Sequence, residues 1–199
     1  MSSAAKTPDK ILDSAQTLML NEGYHGVSVD SIIERSGVSK GTFFYHFKSK
    51  EVLAEKLLTR FFQFRSDRIT QFMQSQVDEF DSPLDALLNF IDGLAPLYRS
   101  TPSDSGCLMA AFSYQLLNEM PHLREMSQSR VEGWQSFFTP HFVNALNCSE
   151  QTAMELSRMM FCLLEGGFIV ERIDHSHELE VQFKHLRRYI QLLADTHTR

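Results

Sequence analysis

Apolar residues recur three and four positions apart along most of the chain, and strict alternation is scarce. That period belongs to helices with one buried face, so the pattern predicts an all-α protein of about nine helices. Thr7-Pro8-Asp9 opens the first, with a cap, a proline at the first helical position and an early acid. Ile11, Leu12, Ala15, Leu18 and Met19 form its apolar face, and Gly23 ends it. Ser28 caps a short second helix over 29–36, with Ile32 and Ile33 inward, and Gly37 supplies the turn. Ser39 caps a third helix to about His46. Ser49 caps a long fourth helix from Lys50 to about Gln76, with Leu53, Leu57, Phe61, Phe64, Ile69 and Phe72 as its apolar positions.

Ser82-Pro83-Leu84-Asp85 starts a fifth helix that runs to about Arg99. A polar linker over 101–106 precedes a helix over 107–118, and Pro121 opens another to about Asn147, with Pro140 as a kink point. Two last helices cover 149–174 and 176–196, each with a serine cap, Ser149 and Ser176.

Charge divides this string of helices. The whole chain carries a formal −6, which taken alone argues against a nucleic-acid partner. Residues 1–68, however, hold ten basic and eight acidic side chains, while the remainder holds nine and seventeen. Such asymmetry implies two jobs: a head over 1–50 and a body over 51–199.

Within the head, helix, glycine turn and helix over 29–47 fit a helix-turn-helix, whose second helix enters the major groove of DNA. The residues sharpen that reading. Val38-Ser39-Lys40-Gly41-Thr42-Phe43-Phe44-Tyr45-His46-Phe47-Lys48-Ser49-Lys50-Glu51 closely resembles the recognition-helix signature of the TetR family of transcriptional repressors. Gly23-Tyr24 and the segment from Val27 to Ile32 match that family's first two helices, so the resemblance covers roughly residues 8–56. It implies that Lys40, Gly41 and Tyr45 face bases, while Ser28, Thr42, His46 and Lys50 hold phosphates. Ser39, as the cap, and Phe44 join the same surface. The chemistry agrees: Lys40 adds a mobile cation, Gly41 lets backbone approach closely, and Thr42 can reach a phosphate or a thymine methyl. Lys50 lies in a helix's first turn, where free N–H groups also attract phosphate. Phe44 stands where the family commonly has a tyrosine that donates to phosphate, so either Tyr45 substitutes or one contact is missing. Ile33 stands where the family often has alanine. Phe43 and Phe47 read as core.

Thirteen of the 16 phenylalanines follow residue 60, together with most of the methionines. Such side chains suit either a plain core or an apolar cavity. The resemblance adds a ligand pocket in the body, for which Phe64, Phe90, Tyr98, Met109, Phe112, Trp134, Phe138, Phe161 and Glu165 are candidate lining residues. It also implies a homodimer whose last two helices form a four-helix bundle, through Met159, Leu163, Gly166, Gly167, Val170, Leu186 and Ile190.

Ser105-Gly106-Cys107-Leu108 resembles a TetR subgroup that includes repressors of the N-ethylmaleimide reductase and acrylate-utilisation types. A thiol in a helix's first turn can have a lowered pKa, which makes Cys107 a possible sensor of electrophiles, against the plain alternative of a small buried hydrophobe. Cys162 reads as core and Cys148 as an exposed loop or cap-adjacent residue. His175-Ser176-His177 is a solvated turn, with no metal-ligand spacing around it. No cofactor or catalytic motif is evident, and neither a secretory segment nor an 18-residue apolar run occurs. The sequence therefore implies a cytoplasmic, non-enzymatic, ligand-responsive regulator: a homodimer bound to a palindromic operator and released by a small molecule or electrophile. The alternative is a small-molecule-binding helical protein with a vestigial head.

Overall fold

In a computed structural model of the chain, residues 7–99, 108, 112, 116, 118–174 and 176–197 are described. They form eight helices and no strand: α1 (Thr7–Gly26), α2 (Val29–Ser36), α3 (Lys40–His46), α4 (Lys50–Glu79), α5 (Pro83–Arg99), α6 (Pro121–Leu146), α7 (Glu150–Asp174) and α8 (Glu178–His197). The all-α expectation holds. The helix expected over 107–118 falls largely outside the described residues, but Leu108, Phe112 and Leu116, spaced by four, are helical and buried. Cys107, Met109 and His175 also lie outside the described residues.

Serine hydroxyls set the helix starts much as the sequence implies. Ser28 Oγ accepts from the Ser31 amide at 3.0 Å, while Ser31 Oγ accepts from the Ser28 amide at 3.1 Å, a closed capping box. Ser39, Ser49, Ser82 and Ser149 accept from the amides of Thr42, Val52, Asp85 and Thr152. Ser176 does not cap α8. The helix starts two residues later, and the Glu171 carboxylate accepts the Leu179 amide at 2.9 Å. A carboxylate is the stronger acceptor for a helix N-terminus. The same carboxylate takes the Arg99 guanidinium at 2.7 Å, tying α5, α7 and α8 together at one oxygen.

Gly37 ends α2 at φ 67°, ψ 23°, donating to the carbonyls of Ile33 and Glu34. That left-handed cap costs glycine nothing and an L side chain about 1 kcal/mol or more. Gly23 interrupts α1 at φ 75°, where the sequence ends the helix, with one further turn following. α4 runs three residues beyond its expected end, and α6 continues through Pro140.

The described residues group into two compact units. The first holds residues 7–64 and the described positions from 108 to 125; the second holds 65–99 and 126–197. α4 contributes its first half to one and its second half to the other. The first unit closes around Ile11, Ala15, Met19, Ile32, Phe43, Leu53 and Leu57, all fully buried. Spacings of three and four deliver each of these from one helix face, and Phe43 and Phe47 are core as expected.

Aromatic rings fill the second unit. Phe90 lies 5.4 Å from Phe72 and 5.1 Å from Phe138, and Trp134 lies tilted against Phe138 at 4.6 Å and edge-on to Phe161 at 5.4 Å. Leu186 and Ile190, expected at a subunit interface, are instead buried within this unit. Gly167, also expected there, is covered by its own chain: a Cβ on it would lie 2.5 Å from Leu179 Cδ2. The apolar side chains left outside in this unit include Val77 on α4, Met154, Ile169, Val170 and Ile173 on α7, and Val181, Tyr189 and Leu192 on α8. Cys162, read as core, is exposed on α7, and Cys148 is half-buried with its Sγ 3.8 Å from the Phe142 carbonyl.

Candidate nucleic-acid interface

α3 is two turns long and is anchored from below. Phe43 and Phe47, four residues apart, sink into the first unit, which turns the opposite side of the helix to solvent. That side carries Lys40, Gly41, Phe44 and Tyr45, all exposed, with Ser39 exposed at the cap and Thr42 and His46 half-buried on its flanks. Tyr45 is 84% exposed, the largest aromatic surface in the head. Phe44 lies edge-on to Phe43 at 5.2 Å. The phenolic hydroxyl on this face is therefore Tyr45's.

Polar partners pre-order several of these groups. Lys40 Nζ pairs with Asp30 at 3.2 Å across the turn, a contact so exposed that it is easily exchanged for another anion. Ser39 and Thr42 hydroxyls lie 2.8 Å apart. Ser28 is exposed at the N-terminus of α2. Lys50 behaves differently from the expectation. Its ammonium donates to the carbonyls of Val27 at 2.9 Å and Tyr24 at 3.1 Å, and it stands 4.2 Å above the Tyr24 ring. It is turned inward onto the α1–α2 turn. Tyr24 in turn donates its hydroxyl to Glu51 at 3.4 Å, and burial, followed by the Glu51 charge, pushes its phenol up to about 12. The Glu51 carboxyl is held low, chiefly by a hydrogen bond from Ser49.

The residues expected to line one ligand cavity are dispersed. Phe64 is exposed in the first unit, and Phe112 packs edge-on to Tyr24 there at 6.1 Å. In the second unit Phe90 and Phe161 belong to the ring stack, Tyr98 lies under the Arg65 guanidinium at 4.2 Å, and Glu165 is half-buried. Trp134 and Phe138 do border a cavity, of about 300 Å³, shared with Ser66, Arg130 and Gly133. Sequence reasoning missed these last three. A glycine in mid-helix was the signal that could have found them. Among the described residues no cluster of His, Cys, Asp or Glu could hold a metal, and no helix is long and apolar enough to cross a membrane.

Residues 11–57 match the family described as bacterial regulatory proteins, tetR family, and residues 83–179 match the LmrA/YxaF-like transcriptional regulator C-terminal domain. The chain belongs to the TetR family. It is similar to the HTH-type transcriptional regulator LmrA of Bacillus subtilis, 26% identical over 163 residues, covering 81% of this chain and 84% of that one. It is also similar to the HTH-type transcriptional repressor NemR of Escherichia coli, 22% identical and covering 92% and 94%. Among solved structures, a TetR regulatory protein from Rhodobacter sphaeroides superposes with a TM-score of 0.78 at 18% identity, covering 92% and 98%. This TetR-family chain is accordingly a DNA-binding transcriptional regulator.

Proposed function

We propose that the chain is a homodimeric repressor, acting in the cytoplasm, that a small-molecule effector releases from a palindromic operator. The observation that carries the reading is α3: its core-facing Phe43 and Phe47 fix it in place while Lys40, Gly41 and Tyr45 are exposed on the other side. A helix so presented can enter a major groove, and two of them, related by a two-fold axis, can meet successive grooves roughly 34–36 Å apart. In this reading Lys40 and Tyr45 address bases, with Lys40 exchanging Asp30 for its DNA partner. Ser28, Ser39, Thr42 and His46 meet the phosphate backbone, and Phe44 contributes apolar contact.

The exposed apolar strip of α7 and α8 supports dimerisation, since such a surface favours burial against a copy of itself. Gly166 fits the same reading: a Cβ there would meet nothing within 4 Å, leaving its backbone open to close approach, with Met159, Leu163 and Val170 around it on α7. The effector occupies the second unit, and α4, continuous through both units, carries the displacement to the head. The effector must bind the off-DNA arrangement more tightly, or nothing is released.

A gel shift against fragments flanking the gene tests the reading. A sequence-preferring complex should form, and Lys40→Ala should weaken it by roughly 1–3 kcal/mol. Absence of any preferred fragment at moderate salt would favour the vestigial-head alternative.

A further inference from the structure

Gly133 sits in the middle of α6, where glycine costs about 1 kcal/mol relative to alanine. Packing gives no reason for it, because a Cβ built there meets no heavy atom within 4 Å. Gly133 is exposed at the rim of an open cavity of about 300 Å³ between the second half of α4 and α6, within the second unit. That volume is at the lower end of the range for small-molecule sites, roughly 300–1,000 Å³.

The lining is two-sided. Ile69, Trp134 and Phe137 give apolar walls, and Gly133 opens a slot beside the indole. Arg130, one turn earlier on the same face of α6, is the single charged residue of the lining. Its Nη1 donates to Ser66 Oγ at 3.3 Å, and its guanidinium stands 5.8 Å from the centroid of the Trp134 ring. Among the described residues Arg130 makes no ion pair. A cation that borders an aromatic slot with no acidic partner favours a ligand that brings its own anion.

We propose that this cavity binds a small aromatic monocarboxylate, with its ring beside Trp134 in the space over Gly133 and its carboxylate on Arg130. The fork of guanidinium N–H groups matches a carboxylate in plane, and Ser66 can donate to the same anion. A neutral amide of the same shape keeps the ring contact and loses the charge-assisted bonds. An amine meets repulsion. The inference rests on the reading that the second unit takes the effector, and names that effector's class.

Trp134 is the chain's single tryptophan, so the protein's tryptophan emission comes from a residue that lines this cavity. The intact protein is titrated with benzoate, phenylacetate and 4-phenylbutyrate, and with benzamide and benzylamine for comparison. At least one acid should shift the emission saturably, with a Kd below about 1 mM, and benzamide should bind at least tenfold more weakly, worth about 1.4 kcal/mol. Arg130→Met should weaken the acid at least tenfold. Gly133→Leu should abolish the shift while the melting temperature holds or rises, because leucine is the better helix former and has room. The assignment is overturned if none of the three acids gives a saturable change, if benzamide matches the best acid, or if Gly133→Leu leaves binding intact. Operator release is read separately by gel shift. An acid that binds without releasing operator keeps the cavity and sinks the effector reading; release that Gly133→Leu leaves unchanged sinks the cavity.

Discussion

The half-buried Lys50 ammonium donates to the Tyr24 carbonyl at 3.1 Å while lying 4.2 Å over the ring of that same residue. With the Val27 carbonyl as a second acceptor, Lys50 clamps the first turn of α4 to the end of α1. Position in the sequence points this lysine at phosphate, and in the free chain its partners are two backbone carbonyls, which fits a brace for the head.

Lys50→Met discriminates between the two roles through salt dependence. A phosphate contact contributes about 0.9 to the slope of log K against log salt. As a brace, Lys50→Met should lower both operator affinity and melting temperature and leave that slope unchanged. A slope shallower by about 0.9 with an unaltered melting temperature would return Lys50 to the phosphate contacts.

Tyr24 should titrate late. Burial and the Glu51 charge favour the neutral phenol in the folded state, with a pKa of about 12 against about 10 unfolded. The raised value means that this contribution to stability is whole below pH 10 and is lost as pH rises toward 12. Phenolate absorbance of the wild type minus that of Tyr24→Phe should therefore have a midpoint near 12. A midpoint near 10 would show the hydroxyl to be solvated.

Phe90 decides between core and cavity wall for the ring stack. It is fully buried between Phe72 and Phe138, so Phe90→Ala should cost about 3–5 kcal/mol in denaturant unfolding. A loss under 1 kcal/mol would mean that the site was already open.

The subunit face should follow exposure rather than hydrophobicity alone. Ile173, 76% exposed, and Leu192 lie outside, whereas Leu186 is buried. The double change Ile173→Asp, Leu192→Asp should yield folded monomers by sedimentation, and Leu186→Asp should instead unfold the chain. Retained dimers in the double variant would move the interface elsewhere.

The two described thiols should react at different rates. Burial raises the Cys148 thiol, and its Sγ leans on the Phe142 carbonyl, while Cys162 is exposed on α7. With α7 as the dimer face, maleimide should modify Cys162 faster in monomeric variants than in the wild type. Equal rates would argue against α7 as a dimer surface.

Local features were legible in the residues because their causes are local. Helix period, the Ser28, Ser39, Ser49, Ser82 and Ser149 caps and the left-handed Gly37 depend on neighbours within four positions, so the order of helices and the recognition segment could be read directly. The inward pair Phe43 and Phe47 and the outward Lys40 and Tyr45 followed from the same period. What an apolar or charged side chain meets across space did not. Leu186 and Leu192 carry the same side chain on one helix, yet one is core and the other surface, because only the neighbouring helices decide which angle of α8 is covered. Lys50 depends on two carbonyls more than 20 residues earlier, and Ser176 lost its cap to a carboxylate on another helix. Gly133 borders a cavity only because the α4 chain passes opposite it. Tertiary packing decided these because burial and hydrogen-bond geometry depend on distances in space, which residue spacing along a helix does not carry from one helix to the next.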